Sequence, residues 1–125
     1  MRSLPARTIL LVEDDELFRD QLARALRARN FEVEVAHDFE AARQSVSATP
    51  PHFALVDLRL PGKSGLEVIS EISATSPATR TFLLTGSTDA VVVEEARQRG
   101  AVGCLRKPID ADEIVAVLNG SGTLG

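Results

Sequence analysis

Five short apolar runs alternate with five amphipathic stretches, and this alternation constrains the fold more than any other feature of the chain. Thr8-Ile9-Leu10-Leu11-Val12 is too short for a helix and apolar on both faces, as a central parallel strand is. Residues 16–30 follow, with Phe18, Leu22, Ala25 and Leu26 at helical spacing and arginines at 19, 24, 27 and 29 mainly on the other sides. Phe31-Glu32-Val33-Glu34-Val35 alternates strictly, which predicts an edge strand with one wet face. Asp38 is placed to cap a helix over 39–48, and Pro50-Pro51 ends it. Phe53-Ala54-Leu55-Val56-Asp57 is a third strand, apolar up to one carboxylate. After the turn chemistry of Pro61-Gly62-Lys63, Ser64 and Glu67 form a capping box for a helix with Leu66, Ile69 and Ile72 on one face. Residues 80–84 form a fourth strand ending at Thr85, and residues 89–99 a helix closed by Gly100. A short fifth strand over 102–105 precedes Lys107-Pro108, and Asp110 caps a last helix to about Leu118. The pattern is (βα)5: an α/β domain with a doubly wound parallel sheet and helices on both faces.

The functional question is then which residues lie at the carboxyl ends of the strands, because ligands of such sheets bind outside those ends. Glu13, Asp14, Asp15 and Glu16 follow the first strand, Asp57 ends the third, Thr85 and Gly86 follow the fourth, and Lys107 follows the fifth. Glu13, Asp14 and Asp57 would crowd one pocket, and like charges that close are unfavourable unless a cation joins them. Lys107 is one such cation and a divalent metal the other. Hard carboxylate oxygens with a backbone carbonyl suit Mg2+, with Mn2+ the alternative. A lone aspartate at a strand end is ordinarily a turn former, but a lysine, a hydroxyl, a metal and a free carboxylate together describe phosphoryl transfer. Asp57 is the expected nucleophile and Asp14 the main side-chain metal ligand, with Glu13 assisting. Asp15 and Glu16 suit the start of the first helix, where carboxylates meet the positive end of the dipole. His37 and His52 have no partner at ligand spacing and read as surface residues.

Leu11-Val12-Glu13-Asp14-Asp15, the stretch from Val56-Asp57-Leu58-Arg59 to Gly65-Leu66-Glu67, Leu84-Thr85-Gly86, and Leu105-Arg106-Lys107-Pro108 together resemble the receiver domain of two-component response regulators. The likeness spans residues 8–118. It implies a flavodoxin-like fold with strand order 2-1-3-4-5. It also implies Asp57 as the site phosphorylated by a sensor histidine kinase or a phosphotransfer protein. Metal would be held by Glu13, Asp14, Asp57 and the backbone carbonyl of Arg59. Thr85 and Lys107 match the switch hydroxyl and the phosphate-binding lysine, and a cis peptide is expected before Pro108. The face of helix 4, strand 5 and helix 5 would signal to an output domain or protein partner, with transcription regulation one outcome and a phosphorylation-dependent homodimer another. Cys104 departs from the family, whose members mostly carry Tyr or Phe there. The thiol reads as a small buried core residue with neither the volume nor the reach of a switching ring. The Arg59 side chain stands where it could lean over the pocket and alter the lifetime of a phosphate.

Composition narrows the alternatives. The 125 residues are 44% hydrophobic and 26% charged, the mix of one globular domain. A net charge of −4 and only five aromatic residues, all Phe, argue against direct nucleic-acid binding. A single cysteine excludes an internal disulfide and suits a cytoplasmic setting, and no apolar run is long enough for a membrane span. Three other classes remain in view. A flavodoxin needs a hydroxyl- and glycine-rich loop after the first strand, where this chain has carboxylates. An aspartate-nucleophile phosphatase needs Asp-x-Asp there, which Glu13-Asp14-Asp15 does not supply. A pseudo-receiver that takes no phosphate is opposed by the site residues and kept open by Cys104. The expected organisation is a lead-in over 1–7, a receiver domain over 8–119, and a tail or linker start over 120–125.

Overall fold

A computed structural model describes residues 7–86 and 89–120. The five strands are β1 (Arg7–Val12), β2 (Phe31–Ala36), β3 (Phe53–Asp57), β4 (Arg80–Thr85) and β5 (Gly103–Arg106). The five helices are α1 (Glu16–Arg27), α2 (Phe39–Ala48), α3 (Gly65–Thr75), α4 (Ala90–Gln98) and α5 (Ala111–Leu118). The sheet is wholly parallel in the order β2-β1-β3-β4-β5, as expected. Alternate residues of the central strands feed two separate cores. Ile9, Leu11, Leu55, Phe82 and Leu84 pack with Leu22 and Leu26 of α1 and Ile114 and Val117 of α5. Leu10, Val12, Val56 and Leu83 pack with Val46 of α2, Ile69 and Ile72 of α3 and Ala96 of α4. This two-faced burial explains why β1 and β3 read as continuous apolar runs. Each large side chain so buried contributes roughly 1.5–3 kcal/mol.

Local chemistry sets most boundaries. Asp15, Asp38, Asp89 and Asp110 each accept a hydrogen bond from a backbone N–H in the first turn of the following helix. The Ser64 N–H donates to Glu67 Oε2 at 2.9 Å, one half of the expected capping box. Three expectations need correction. Helix α1 stops at Arg27 rather than Asn30. The next residues tighten into a turn, Arg29 N–H to Leu26 O and Asn30 N–H to Arg27 O, with Asn30 at φ 69°. Asparagine tolerates that left-handed conformation better than most residues. Strand β5 lies one residue later than read, and Val102 stays part-exposed. On β2 the strict alternation fails at Val35, which is 39% exposed, while Ala36 is buried.

Two glycines are required by close approach. A Cβ on Gly65 would lie 2.1 Å from the Asp57 carbonyl oxygen, so α3 starts against the end of β3 only because no side chain intervenes. Gly100, at φ +117°, would place a Cβ 1.8 Å from Ser73 Oγ, where α4 ends against α3. Residues 1–6 of the expected lead-in and 121–125 of the expected tail lie outside the described residues. Among the described residues no helix is long and apolar enough to cross a membrane.

Candidate functional site

The carboxyl rim of the sheet is held together by backbone bonds that run past the strands. Glu13 N–H donates to Ala36 O at 2.9 Å, Leu58 N–H to Leu84 O at 3.0 Å, and Lys107 N–H to Thr85 O at 2.9 Å. These bonds fix the residues after β1, β3 and β5 relative to their neighbours. The Lys107-Pro108 peptide is cis, as the family resemblance implies. Gly65 N–H donates to Leu58 O at 2.9 Å and closes the loop of residues 58–64 onto the end of β3.

On this frame the expected side chains converge. Carboxylate oxygens of Glu13, Asp14 and Asp57 lie within 4.8 Å of one another. The Lys107 ammonium donates to Glu13 Oε1 at 2.8 Å and makes an ion pair with Asp57 Oδ1 at 2.9 Å. Glu13 is 1% exposed, the Asp57 side chain 10%, and Asp14 lies open to solvent. Asp57 is therefore enclosed by the rim but reachable. Thr85 is buried at the end of β4, one residue beyond the partner of Asp57 in the sheet. Arg59 is exposed in the loop after β3.

One ammonium faces three carboxylates. Burial pushes Glu13 above the usual carboxylate range, against the opposing pull of Lys107 and with Asp57 adding to the rise. Burial works against the charge on Lys107, but hydrogen bonds to Asp57 and Glu13 prevail and hold its ammonium to higher pH than usual. Lysine alone cannot balance the cluster. Three hard oxygen donors within reach of one ion, with Asp14 open to water, fit a small divalent cation that keeps part of its hydration shell.

The other sequence candidates fall into place around this cluster. Asp15 is the N-cap of α1, accepting from Phe18 N–H at 3.1 Å, which is the structural role expected of it. His37 and His52 are both exposed; His52 Nδ1 accepts the Thr8 N–H at 3.0 Å at the opposite end of the sheet. Cys104 is buried among Leu83, Ala96 and Ala101, and burial pushes its thiol up, away from the reactive thiolate. On α4, Val91 is 73% exposed, whereas Ala96 is buried.

Two contributors were not foreseen. Phe18, expected only as part of the packing stripe of α1, also places its ring under the Lys107 ammonium, 4.6 Å from centroid to nitrogen. Helical phase in the sequence carries no signal for that contact. Gly65 was read inside a turn-and-cap motif, and the close approach that requires it becomes visible only when β3 and α3 are placed together.

Comparison with known proteins agrees with this fold. The family described as "Response regulator receiver domain" matches residues 9–119. The acid tolerance regulatory protein ActR of Rhizobium meliloti is 40% identical over 91% of this chain and 59% of its own length. The photosynthetic apparatus regulatory protein RegA of Rhodovulum sulfidophilum is 37% identical over 92% of this chain and 63% of its own. The chain thus spans about three-fifths of these curated relatives. A crystal structure of a Burkholderia pseudomallei response regulator, with a phosphorylated aspartic acid, calcium ion and citrate, superposes with a TM-score of 0.85 at 33% identity. That match covers 90% of this chain and 66% of that one.

Proposed function

The chain belongs to the response-regulator receiver domain family, and from that premise we propose that Asp57 accepts a phosphoryl group from a histidine kinase or phosphotransfer protein in a Mg2+-dependent reaction. The observation that carries this reading is the meeting of Asp57, Lys107, Glu13 and Asp14 at one rim. In support, the related Burkholderia structure is described as holding a phosphorylated aspartic acid and a calcium ion. Asp14, Asp57 and the Arg59 carbonyl would hold the metal, with Glu13 behind them. The ion, when bound, neutralises charge on the transferring group.

In the proposed step an Asp57 carboxylate oxygen attacks phosphorus in line. The bond from phosphorus to the donor imidazole nitrogen breaks, and that nitrogen keeps the electron pair. The product is an acyl phosphate, later cleaved by water to restore Asp57 and release phosphate. Lys107 needs only a small movement from Asp57 to pair with the new phosphate oxygens. The Thr85 hydroxyl is the proposed sensor of the phosphate, drawing the loop after β4 with it. The output face would be α4, β5 and α5, where Val91, Glu94 and Gln98 line an open groove on α4. The two curated relatives are regulatory proteins, so an output domain acting in transcription regulation is the proposed context. Because Cys104 lacks a ring, the rearrangement on this face would differ from an aromatic switch.

Mass spectrometry after incubation with acetyl phosphate and Mg2+ tests the reading. One phosphoryl group should appear and be absent in Asp57→Ala. An unmodified wild-type chain would make this a pseudo-receiver.

A further inference from the structure

Four of the five phenylalanines meet a cation. Phe31 and Phe53 flank the Arg7 guanidinium at 5.3 Å each, Phe39 lies 4.0 Å from the Lys63 ammonium, and Phe18 lies 4.6 Å from that of Lys107. Significant contacts of this kind occur about once per 70–80 residues. Only the Phe18 contact touches the rim cluster.

Lysine has a flexible four-carbon stem and a compact charge, so its rotamers must be restrained if the ammonium is to stay in one place. Glu13 and Asp57 restrain it here, but both are anions. Once Asp57 carries a phosphoryl group, Glu13 competes with that group for the same ammonium. A ring face attracts the cation without accepting an N–H bond that a phosphate oxygen needs. Phe18 is also fixed independently of Lys107. Its N–H is held by Asp15, the residue after Asp14, and its ring packs against the core beneath α1.

We propose that Phe18 is a positioning residue for phosphoryl transfer, its ring holding the Lys107 ammonium at Asp57 before and after the phosphoryl group arrives. This rests on the phosphoacceptor reading above. Phe18→Leu removes the ring and keeps an apolar side chain, and Phe18→Trp keeps a ring. With acetyl phosphate and saturating Mg2+, Phe18→Leu should slow phosphorylation roughly three- to tenfold, and Phe18→Trp should restore the wild-type rate. Mg2+ affinity by calorimetry should be unchanged in both. A second readout needs neither metal nor phosphate. Ring current should move the Lys107 Hε resonances upfield in the metal-free wild-type chain, and Phe18→Leu should abolish that displacement. Equal slowing by Leu and Trp, a wild-type rate in Phe18→Leu, or unshifted Lys107 resonances in the wild type would each overturn the proposal. A wild-type chain that shows the ring-current displacement but takes no phosphoryl group would instead sink the phosphoacceptor reading beneath it.

Discussion

The two ends of the sheet bury polar groups in opposite ways. At the amino end, the Ser76 and Thr79 hydroxyls lie 2.7 Å apart, and Thr79 Oγ1 donates to the Pro51 carbonyl at 2.6 Å. His52 and Thr8 exchange further hydrogen bonds beside them, at the exposed margin. In the buried hydroxyl chain every partner comes from the protein itself and none is charged. At the carboxyl end, Glu13 and Asp57 are buried with Asp14 alongside and a single ammonium between them. The amino end is complete in itself. The carboxyl end sets three carboxylates against a single ammonium, and under the proposed function a divalent cation would lower its energy. Burial of polar groups marks a site only where the protein does not satisfy them itself.

The sharpest way to break this contrast is to exchange the roles of the ends. Asp57→Ala should eliminate phosphoryl uptake in the mass spectrum, while Thr79→Val should leave uptake intact. Uptake surviving in Asp57→Ala would move the acceptor elsewhere.

Next in size is Lys107→Met, which leaves two buried carboxylates without their cation. Stranding a buried charge costs ~3–5 kcal/mol, and the partial exposure of Lys107 argues for the low end, about 3 kcal/mol. Circular dichroism in urea should show that loss in EDTA and partial recovery with Mg2+. Recovery should be absent if the cluster does not bind metal.

Thr79→Val should cost about 1–3 kcal/mol, because the Pro51 carbonyl and the Ser76 hydroxyl each lose a partner. That loss should be indifferent to Mg2+ and to pH, since no group in the hydroxyl chain titrates. A Mg2+-dependent loss would show that the two ends are coupled.

The smallest effect is a pH slope. The folded pKa of Glu13 is raised above its unfolded value, so the folded chain binds that proton more tightly. In EDTA, its contribution to stability should be fully present below the unfolded carboxylate pKa and fade as pH rises through the folded one. Glu13→Gln should flatten that slope in urea melts taken upward from pH 4.5. An unchanged slope would place the titrating group elsewhere.

The site was unusually legible in the sequence because parallel topology sends the carboxyl end of every strand to one rim. Asp57, Thr85 and Lys107 could be placed there once their strands were recognised, since a β-strand leaves little freedom in where it ends. The aspartates before α1, α2 and α5 announced helix starts through chemistry that acts within one turn. Legibility failed where a residue's role depends on a neighbour distant in the chain. Val35 follows the alternation that buries Phe31 and Val33, yet it stays exposed. Phe18 has the phase of a core residue, yet its ring meets a lysine 89 positions away.

The sequence alone determined the order of strands and helices, the parallel sheet that order demands, and the identity of the acidic and basic residues at its rim. These follow from hydrophobic period and from capping and turn chemistry, which act over a few residues. Only the tertiary structure decided that Lys107 sits between Glu13 and Asp57, that Gly65 must lack a side chain, and that an aromatic face lies under the ammonium. Those are distances between residues far apart in sequence, and packing in three dimensions alone sets them.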